Sequence, residues 1–486
     1  MRIVMAASEA VPFVKVGGLG DVAGTLPRKL AEAGHEVTLF LPRYASIDLS
    51  PYDVRVVLQP MGVPTGAGTL WCRVLGITPS EGFEVYFIEH DEILGRGGIY
   101  GDTERWSRGA RFIFFSRAVL QTCIDTALRP DVIHCHDWMT AMIPAYLKSR
   151  LIDHPVLEET ATLLTIHNIG AGYQGRGYVE DFLFSGLPTN MWEYFEYEGI
   201  TNLLKGGILL ADQITAVSPG FAREILTPEG GGGLDGVLRL RRDDLHGILN
   251  GVDYEEWNPE RDPYIPANYS EREMRGKLHC KLALQEEFGL DPHPNRPLFG
   301  FVSRMDVQKG LDLIPPALPP IMAQGAQFIC LGSGHPGLES AFMALPRFYP
   351  GQAGSFIGYS NEMAHRLEAG LDIFLMPSRW EPCGLNQMYS LRYGTLPLVR
   401  ATGGLDDTVE NYDPLRGTGT GFKFRDATVA ALGGTMLWAL DTWWNRPFHF
   451  RQMQLRAMQQ RFTWEAAVEE YVACYRRAAA RRSVWG

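Results

Sequence analysis

What the 486-residue chain lacks narrows its class before any motif is considered. It has no C-x-x-C pair. Its seven cysteines, at positions 72, 123, 135, 280, 330, 383 and 474, are odd in number and scattered, which argues against a disulfide framework and a zinc cluster. It has no long run of lysine and arginine. The nearest, Arg239–Arg242, is followed at once by Asp243 and Asp244 and reads as a solvated surface. With 45 basic against 56 acidic side chains, net −11, neither a nucleic-acid nor an anionic-membrane partner is expected, and an anionic ligand must rely on a few local cations. No apolar stretch approaches the ~20 residues of a membrane span. The run at the N-terminus is too short for a signal peptide and is interrupted by Glu9. No internal repeat is visible, and a reducing cytoplasm is the expected location.

What is present is a substantial core. Hydrophobic residues make up 45% of a chain long enough for two large α/β lobes or about three smaller domains. Short apolar runs alternate with helix-length amphipathic segments. Ile3–Ala7, Val37–Leu41, Val85–Ile88, Val132–Cys135 and Leu163–Ile166 read as buried strands, with Leu26–Ala33 and Arg111–Ala127 as helical pieces between them. The pattern restarts at Leu298–Ser303 and continues through Gln327–Leu331, Ser355–Ile357, Ile373–Met376 and Leu396–Val399. Between the two series, Leu226–Asn268 holds four consecutive glycines and the proline-rich Pro259–Pro266, neither suited to a sheet interior. The expected organisation is two doubly wound lobes, 1–248 and 249–460, with a boundary near Asn250-Gly251. A terminal helix, 461–486, has apolar residues at Trp464, Val468, Tyr471, Val472 and Tyr475 and is expected to return to the first lobe.

Polar clusters fall at the carboxyl ends of these strands, where ligands of such folds sit. Lys15-Val16-Gly17-Gly18-Leu19-Gly20-Asp21 lies between a strand and a helix. It suits a phosphate held by backbone amides, or simply a tight turn with a surface lysine. His134-Cys135-His136-Asp137-Trp138 invites a metal reading, but alternation puts the two histidines on one strand face with Cys135 opposite, and no distant partner completes a site. His167-Asn168 ends another strand. Ser303-Arg304 with Gln308-Lys309-Gly310 offers a forked guanidinium and an ammonium to a diphosphate, or two surface cations flanking Asp306. Glu381 lies in the loop Pro377–Leu385. Cys383 beside it has no histidine nearby in sequence and reads as packing rather than a nucleophile. Thr402-Gly403-Gly404 adds a glycine turn with backbone donors.

In this order the clusters resemble bacterial glycogen synthases and plant starch synthases. The matching stretches are Lys15–Asp21, His136–Trp138, His167-Asn168, Leu249–Asp253, Ser303–Gly310, Gly358-Tyr359, Glu381–Leu385 and Arg392–Gly404, spread over almost the whole chain. The resemblance implies the GT-B architecture, two Rossmann-like lobes facing a cleft. It implies transfer of glucose from ADP-glucose to the non-reducing end of an α-1,4-glucan, with retention at the anomeric carbon. No acidic cluster with metal-ligand spacing is seen, so cations are expected in place of a metal ion, and no cofactor is expected. Carried over by position, Arg304 and Lys309 grip the diphosphate, assisted by Lys15 and the Gly17 and Gly18 amides. Tyr359 lies against the adenine. Glu381 binds the transferred glucose, with the backbone of Cys383, Gly384, Leu385 and Asn386 and the Thr402-Gly403 turn near the donor. Asp137, His167, Asn168, Asp21 and Asn250 serve the glucosyl group or acceptor. Val16 and Asn386 stand where the family commonly has threonine, and both are near the donor. Pro315–Pro320 falls where the family has an ordinary helix, so a broken helix is expected. Two rival readings are a non-catalytic glucan-binding homologue, against which the complete set Lys15, Arg304, Lys309 and Glu381 argues, and a phosphorylase carrying pyridoxal phosphate, for which no motif is seen.

Overall fold

The computed structural model describes residues 1–485. The chain divides into two compact units, the first comprising residues 1–248 with the helix Trp464–Trp485, the second Leu249–Thr463. Residues just before the terminal helix stay with the second unit. The Phe462 carbonyl accepts from the Val252 amide at 2.8 Å, and the Phe462 amide donates to the Tyr254 hydroxyl at 3.0 Å.

The first unit is built on a nine-stranded sheet. From one edge, its strands are Leu245–Gly247, Gln213–Ala216, Ala161–Ile166, Val132–His136, Arg2–Ala6, Glu36–Pro42, Phe83–Glu89, Gly68–Ser80 and Arg55–Thr65. The first seven are parallel, and their near-continuous apolar runs reflect a sheet covered on both faces. The last two are antiparallel and form a hairpin that the sequence reading left out. Pro60, Gly62 and Pro64 make Arg55–Thr65 look like a loop, but it is the edge strand, the one place where proline needs no ladder partner. Chain order reverses between Arg2–Ala6 and Val132–His136, so the loops after these strands flank a topological switch point.

One reading of the surface is corrected. Arg241 is buried, and its guanidinium donates to the carbonyls of Ile208 (2.6 Å), Leu209 (2.8 Å) and Ala211 (2.7 Å) and to Asp244 (2.8 Å). It closes the C-terminal end of the helix Leu203–Leu210, whose last carbonyls lack partners of their own.

The second unit holds six parallel strands in the order Ala353–Ile357, Gln327–Gly332, Leu298–Val302, Ile373–Met376, Leu396–Arg400, Phe422–Phe424. The reversal here lies between Leu298–Val302 and Ile373–Met376. The proline segment is a broken helix: a turn at Leu311–Leu313 is followed by two single turns, Ile314–Ala317 and Pro319–Met322. Its apolar side chains Ile314, Leu318 and Ile321 are nevertheless fully buried in the core with Phe299, Phe328 and Phe342. Among the described residues no helix is long and apolar enough to cross a membrane.

Candidate active site

In the first unit the loop after Arg2–Ala6 is organised around a buried carboxylate. Glu9 accepts hydrogen bonds from the backbone of Val16, from the Gly17 amide at 3.1 Å and from the Tyr100 hydroxyl at 2.7 Å. Burial pushes its carboxyl up, against the opposing pull of these donors. The Gly17 amide is therefore directed at Glu9 in this structure. Gly18 remains open: a Cβ there would meet nothing within 4 Å. Gly24 is required by packing, since a Cβ would lie 2.5 Å from the Val11 carbonyl oxygen. Lys15 is half exposed, its ammonium 2.7 Å from Asp21, so this cation and Asp21 stand together at the N-terminus of the helix Gly18–Glu32. Tyr100 reaches Glu9 from a loop that Arg111 shapes by donating to the carbonyls of Ile93, Leu94, Arg96, Gly98 and Gly101.

On the other side of the switch point, Val132–His136 carries His134 and His136 on one face, their rings 4.2 Å apart. His134 is wholly internal, bonded to the Tyr475 hydroxyl at 2.9 Å and to Thr165 Oγ1 at 2.6 Å. His136 Nδ1 lies 2.9 Å from His167 Nε2. Burial drives all three imidazoles down, His167 to about 3, so the group is neutral at physiological pH. Asp137 adopts φ 55° and points its carboxyl at the next strand end, accepting the His167 amide at 2.7 Å and the Asn168 amide. Burial pushes it up to about 8. Asp137 thus holds the backbone of His167-Asn168. Asn168 accepts the Gly170 amide at 3.0 Å, forming the turn beyond.

In the second unit five loops meet at the carboxyl ends of the strands. Lys309 places its ammonium 2.9 and 2.7 Å from the two oxygens of Glu381, and Ser378 donates to Glu381 at 2.9 Å. Glu381 is only 6% exposed, and Arg304, 3.7 Å from Asp306, extends into solvent. The loops are locked by backbone contacts: Arg379 N–H donates to Gln308 at 2.8 Å, and Met305 N–H to Ser333 at 2.7 Å. Gly403, at φ 45°, packs so closely on the Glu381 carbonyl that a Cβ would sit 2.1 Å from it, so the Thr402-Gly403 turn must be glycine to lie against this loop. Tyr359 is 78% exposed beside Gly358, whose amide donates to Gly332 at 2.9 Å.

Three smaller positions complete the second unit's set. The Asn386 side chain donates to the Val302 carbonyl at 2.8 Å, tying the start of its helix to the strand that ends at Arg304. Gly384 and Leu385 lead into that helix. Cys383 is buried, its thiol pushed up to about 12 by desolvation and bonded to the Asn250 backbone, as a packing residue should be. Asn250 is itself buried, with Oδ1 unpaired among the described residues.

Lys15 and Asp137 therefore flank the switch point of the first unit, and Arg304, Lys309 and Glu381 that of the second, with the other expected residues on neighbouring loops. Glu9, Tyr100, Arg111 and Ser378 were not singled out from sequence. For Glu9 a signal existed, an acidic residue directly after a buried strand. For the others the partners are 3 to 91 residues away, which no spacing reveals.

Comparison with known proteins agrees with this geometry. The family model described as the starch synthase catalytic domain matches residues 2–240, and that for glycosyl transferases group 1 matches residues 296–441. The chain is 46% identical to glycogen synthase 1 of Geobacter metallireducens, over 99% of this chain and 97% of that one. It is 40% identical to the glycogen synthase of Thermotoga maritima over 99% of each. Among solved structures, the catalytic domain of starch synthase IV from Arabidopsis thaliana, bound to ADP and acarbose, superposes with a TM-score of 0.88 at 30% identity, covering 98% of this chain and 99% of that one. Sucrose-phosphate synthase from Thermosynechococcus elongatus, at 18% identity and a TM-score of 0.60 over 99% of each chain, shares the fold. The fold class is GT-B, and the chain belongs to the glycogen synthase and starch synthase family of glycosyltransferases.

Proposed function

We propose that this protein transfers glucose from ADP-glucose to the non-reducing end of an α-1,4-glucan, with retention of configuration, in glycogen synthesis in the cytoplasm. The observation that carries this reading is the Arg304–Lys309–Glu381 group at the switch point of the second unit. It supplies two cations for a diphosphate and, beside them, a carboxylate for a sugar. Relatives named glycogen synthase along the full chain support the acceptor, and the ADP and acarbose of the starch synthase neighbour support a nucleotide and a glucan-like ligand.

In this account the bond from the anomeric carbon to the diphosphate oxygen breaks first. Negative charge grows on the leaving diphosphate, and Arg304 and Lys309, with Lys15 and the Gly18 amide from the first unit, stabilise it more as it departs. The backbone from Cys383 to Asn386 and the Thr402-Gly403 turn line the same donor, and Tyr359 offers an open ring to the adenine. Glu381 faces the sugar. The acceptor hydroxyl attacks from the side the diphosphate leaves and passes its proton to the departing diphosphate oxygen, which gives retention without a covalent intermediate. His167, Asn168, Asn250 and Asp21 serve the glucose and acceptor.

The experiment is release of ADP from ADP-glucose in the presence of glycogen. Arg304→Ala and Lys309→Ala are each expected to lower kcat/KM by about a hundred- to a thousand-fold. Normal turnover in both single variants would remove the diphosphate site.

A further inference from the structure

We infer that His136 is a positioning residue that sets the ring tautomer of His167, so that His167 presents Nδ1–H to the substrate as a hydrogen-bond donor. The inference deepens the transferase reading and rests on it for the identity of the substrate. His136 Nδ1 and His167 Nε2 are 2.9 Å apart and share one proton. If His167 supplied it, neutral His136 would carry its own proton on Nε2. That atom is wholly buried and has no partner among the described residues. A buried N–H without an acceptor is the costlier defect, whereas an unpaired imidazole lone pair is tolerated. The proton therefore belongs to His136 Nδ1, which donates to His167 Nε2.

Neutral His167 must then hold its proton on Nδ1. No protein group among the described residues pairs with Nδ1, and His167 is half-buried at the strand end, able to meet a ligand. Its Nε2 is occupied, so His167 cannot take the acceptor's proton through that atom; it serves as a neutral donor to a sugar oxygen.

The support behind His136 is built accordingly. Its backbone amide donates to Thr140 Oγ1 at 2.7 Å, and the Thr140 hydroxyl donates back to its carbonyl at 3.0 Å. The His134 ring packs on it, and His134 is in turn held by Tyr475 of the terminal helix. That helix thereby contributes to the register of a ring two layers away.

The test is a long-range proton–nitrogen correlation spectrum of the full-length protein labelled with nitrogen-15 histidine. His136→Asn and His167→Asn serve to assign the signals. His167 should appear as the neutral Nδ1–H tautomer at pH 7; an Nε2–H tautomer or an imidazolium would overturn the inference. His136→Asn keeps an N–H near the Nδ1 position and should retain most of kcat. His136→Leu should lower kcat roughly tenfold while leaving KM for ADP-glucose within about twofold, the loss of one oriented hydrogen bond. Equal activity in the Asn and Leu variants would also overturn it. An Nδ1–H His167 in a protein that releases no ADP would support the tautomer and count against the transferase reading.

Discussion

Lys309 holds Glu381 through the same atom that the proposed function gives to the diphosphate. Its ammonium neutralises Glu381, a carboxylate almost out of solvent, and faces the proposed diphosphate as well. Arg304 is half exposed, and its one ion-pair partner among the described residues, Asp306, is 3.7 Å away. The two alanine variants should therefore separate. Lys309→Ala strands a buried charge and should lower both activity and melting temperature, whereas Arg304→Ala should lower activity alone. Their kinetic losses should not add, because both act on one diphosphate. Paired melts and steady-state kinetics check this, and an unchanged melting temperature for Lys309→Ala would contradict it.

Cysteine chemistry is the second residue-scale test. All seven thiols are free and buried, and burial holds Cys383 at about 12. Native protein at pH 8 should resist iodoacetamide and keep its activity. Stoichiometric inactivation at Cys383 would contradict this. The places of Lys15, Arg304, Lys309 and Glu381 after strand ends were legible in the sequence, because each follows a short apolar run. The backbone contacts of Glu9 and Asp137 were not legible, because a carboxylate bonded to amides looks no different in sequence from one open to substrate.

At the scale of elements, the segment from Asp253 to Ser270 is the part least like a regular fold, and it is held by side chains. Trp257 stacks between His365, 3.8 Å away, and Tyr389, 4.0 Å away. His365 Nδ1 lies 2.8 Å from Asp262, which also accepts from Tyr393. Burial alone would push His365 down, but its bonds to Asp262 and Glu256 prevail and hold it up at about 9. A histidine with a raised folded pKa contributes stability that is complete below its unfolded value, ~6.5, and is lost as pH rises through about 9. The urea midpoint should therefore fall between pH 7 and 10, and His365→Gln should show a lower midpoint at pH 7 with a flatter dependence. A wild-type midpoint unchanged across that range would contradict the assignment. The strands around this segment were readable from their apolar runs, and the proline break at Pro315–Pro320 followed from ring sterics. The hairpin Arg55–Ser80 was not readable, because its prolines are tolerated only through its edge position, which is a property of the sheet and not of the segment.

For the whole molecule, the account requires that the departing diphosphate be stabilised by organic cations alone. Among the described residues no three His, Cys, Asp or Glu side chains come close enough to hold a metal ion, and the cations proposed for the diphosphate are Arg304, Lys309 and Lys15. Activity should accordingly be the same in EDTA as without it; activity lost in EDTA and restored by a divalent ion would show that the phosphate site was misassigned. Order along the chain was enough to identify the family, since the motifs recur at strand ends across nearly all of it. Nucleotide choice was not, because Val16 and Asn386 depart from the family where the donor is expected, and Asn386 spends its amide on the Val302 carbonyl.

The most direct measurement supplies carbon-13-labelled ADP-glucose, and UDP-glucose in parallel, to the protein with a short α-1,4-glucan and follows the anomeric signals by NMR. The account predicts one ADP released per new α-1,4-linked glucose at the non-reducing end, with ADP-glucose the preferred donor. A β-linked product, preference for UDP-glucose, or no transfer from either donor would contradict it.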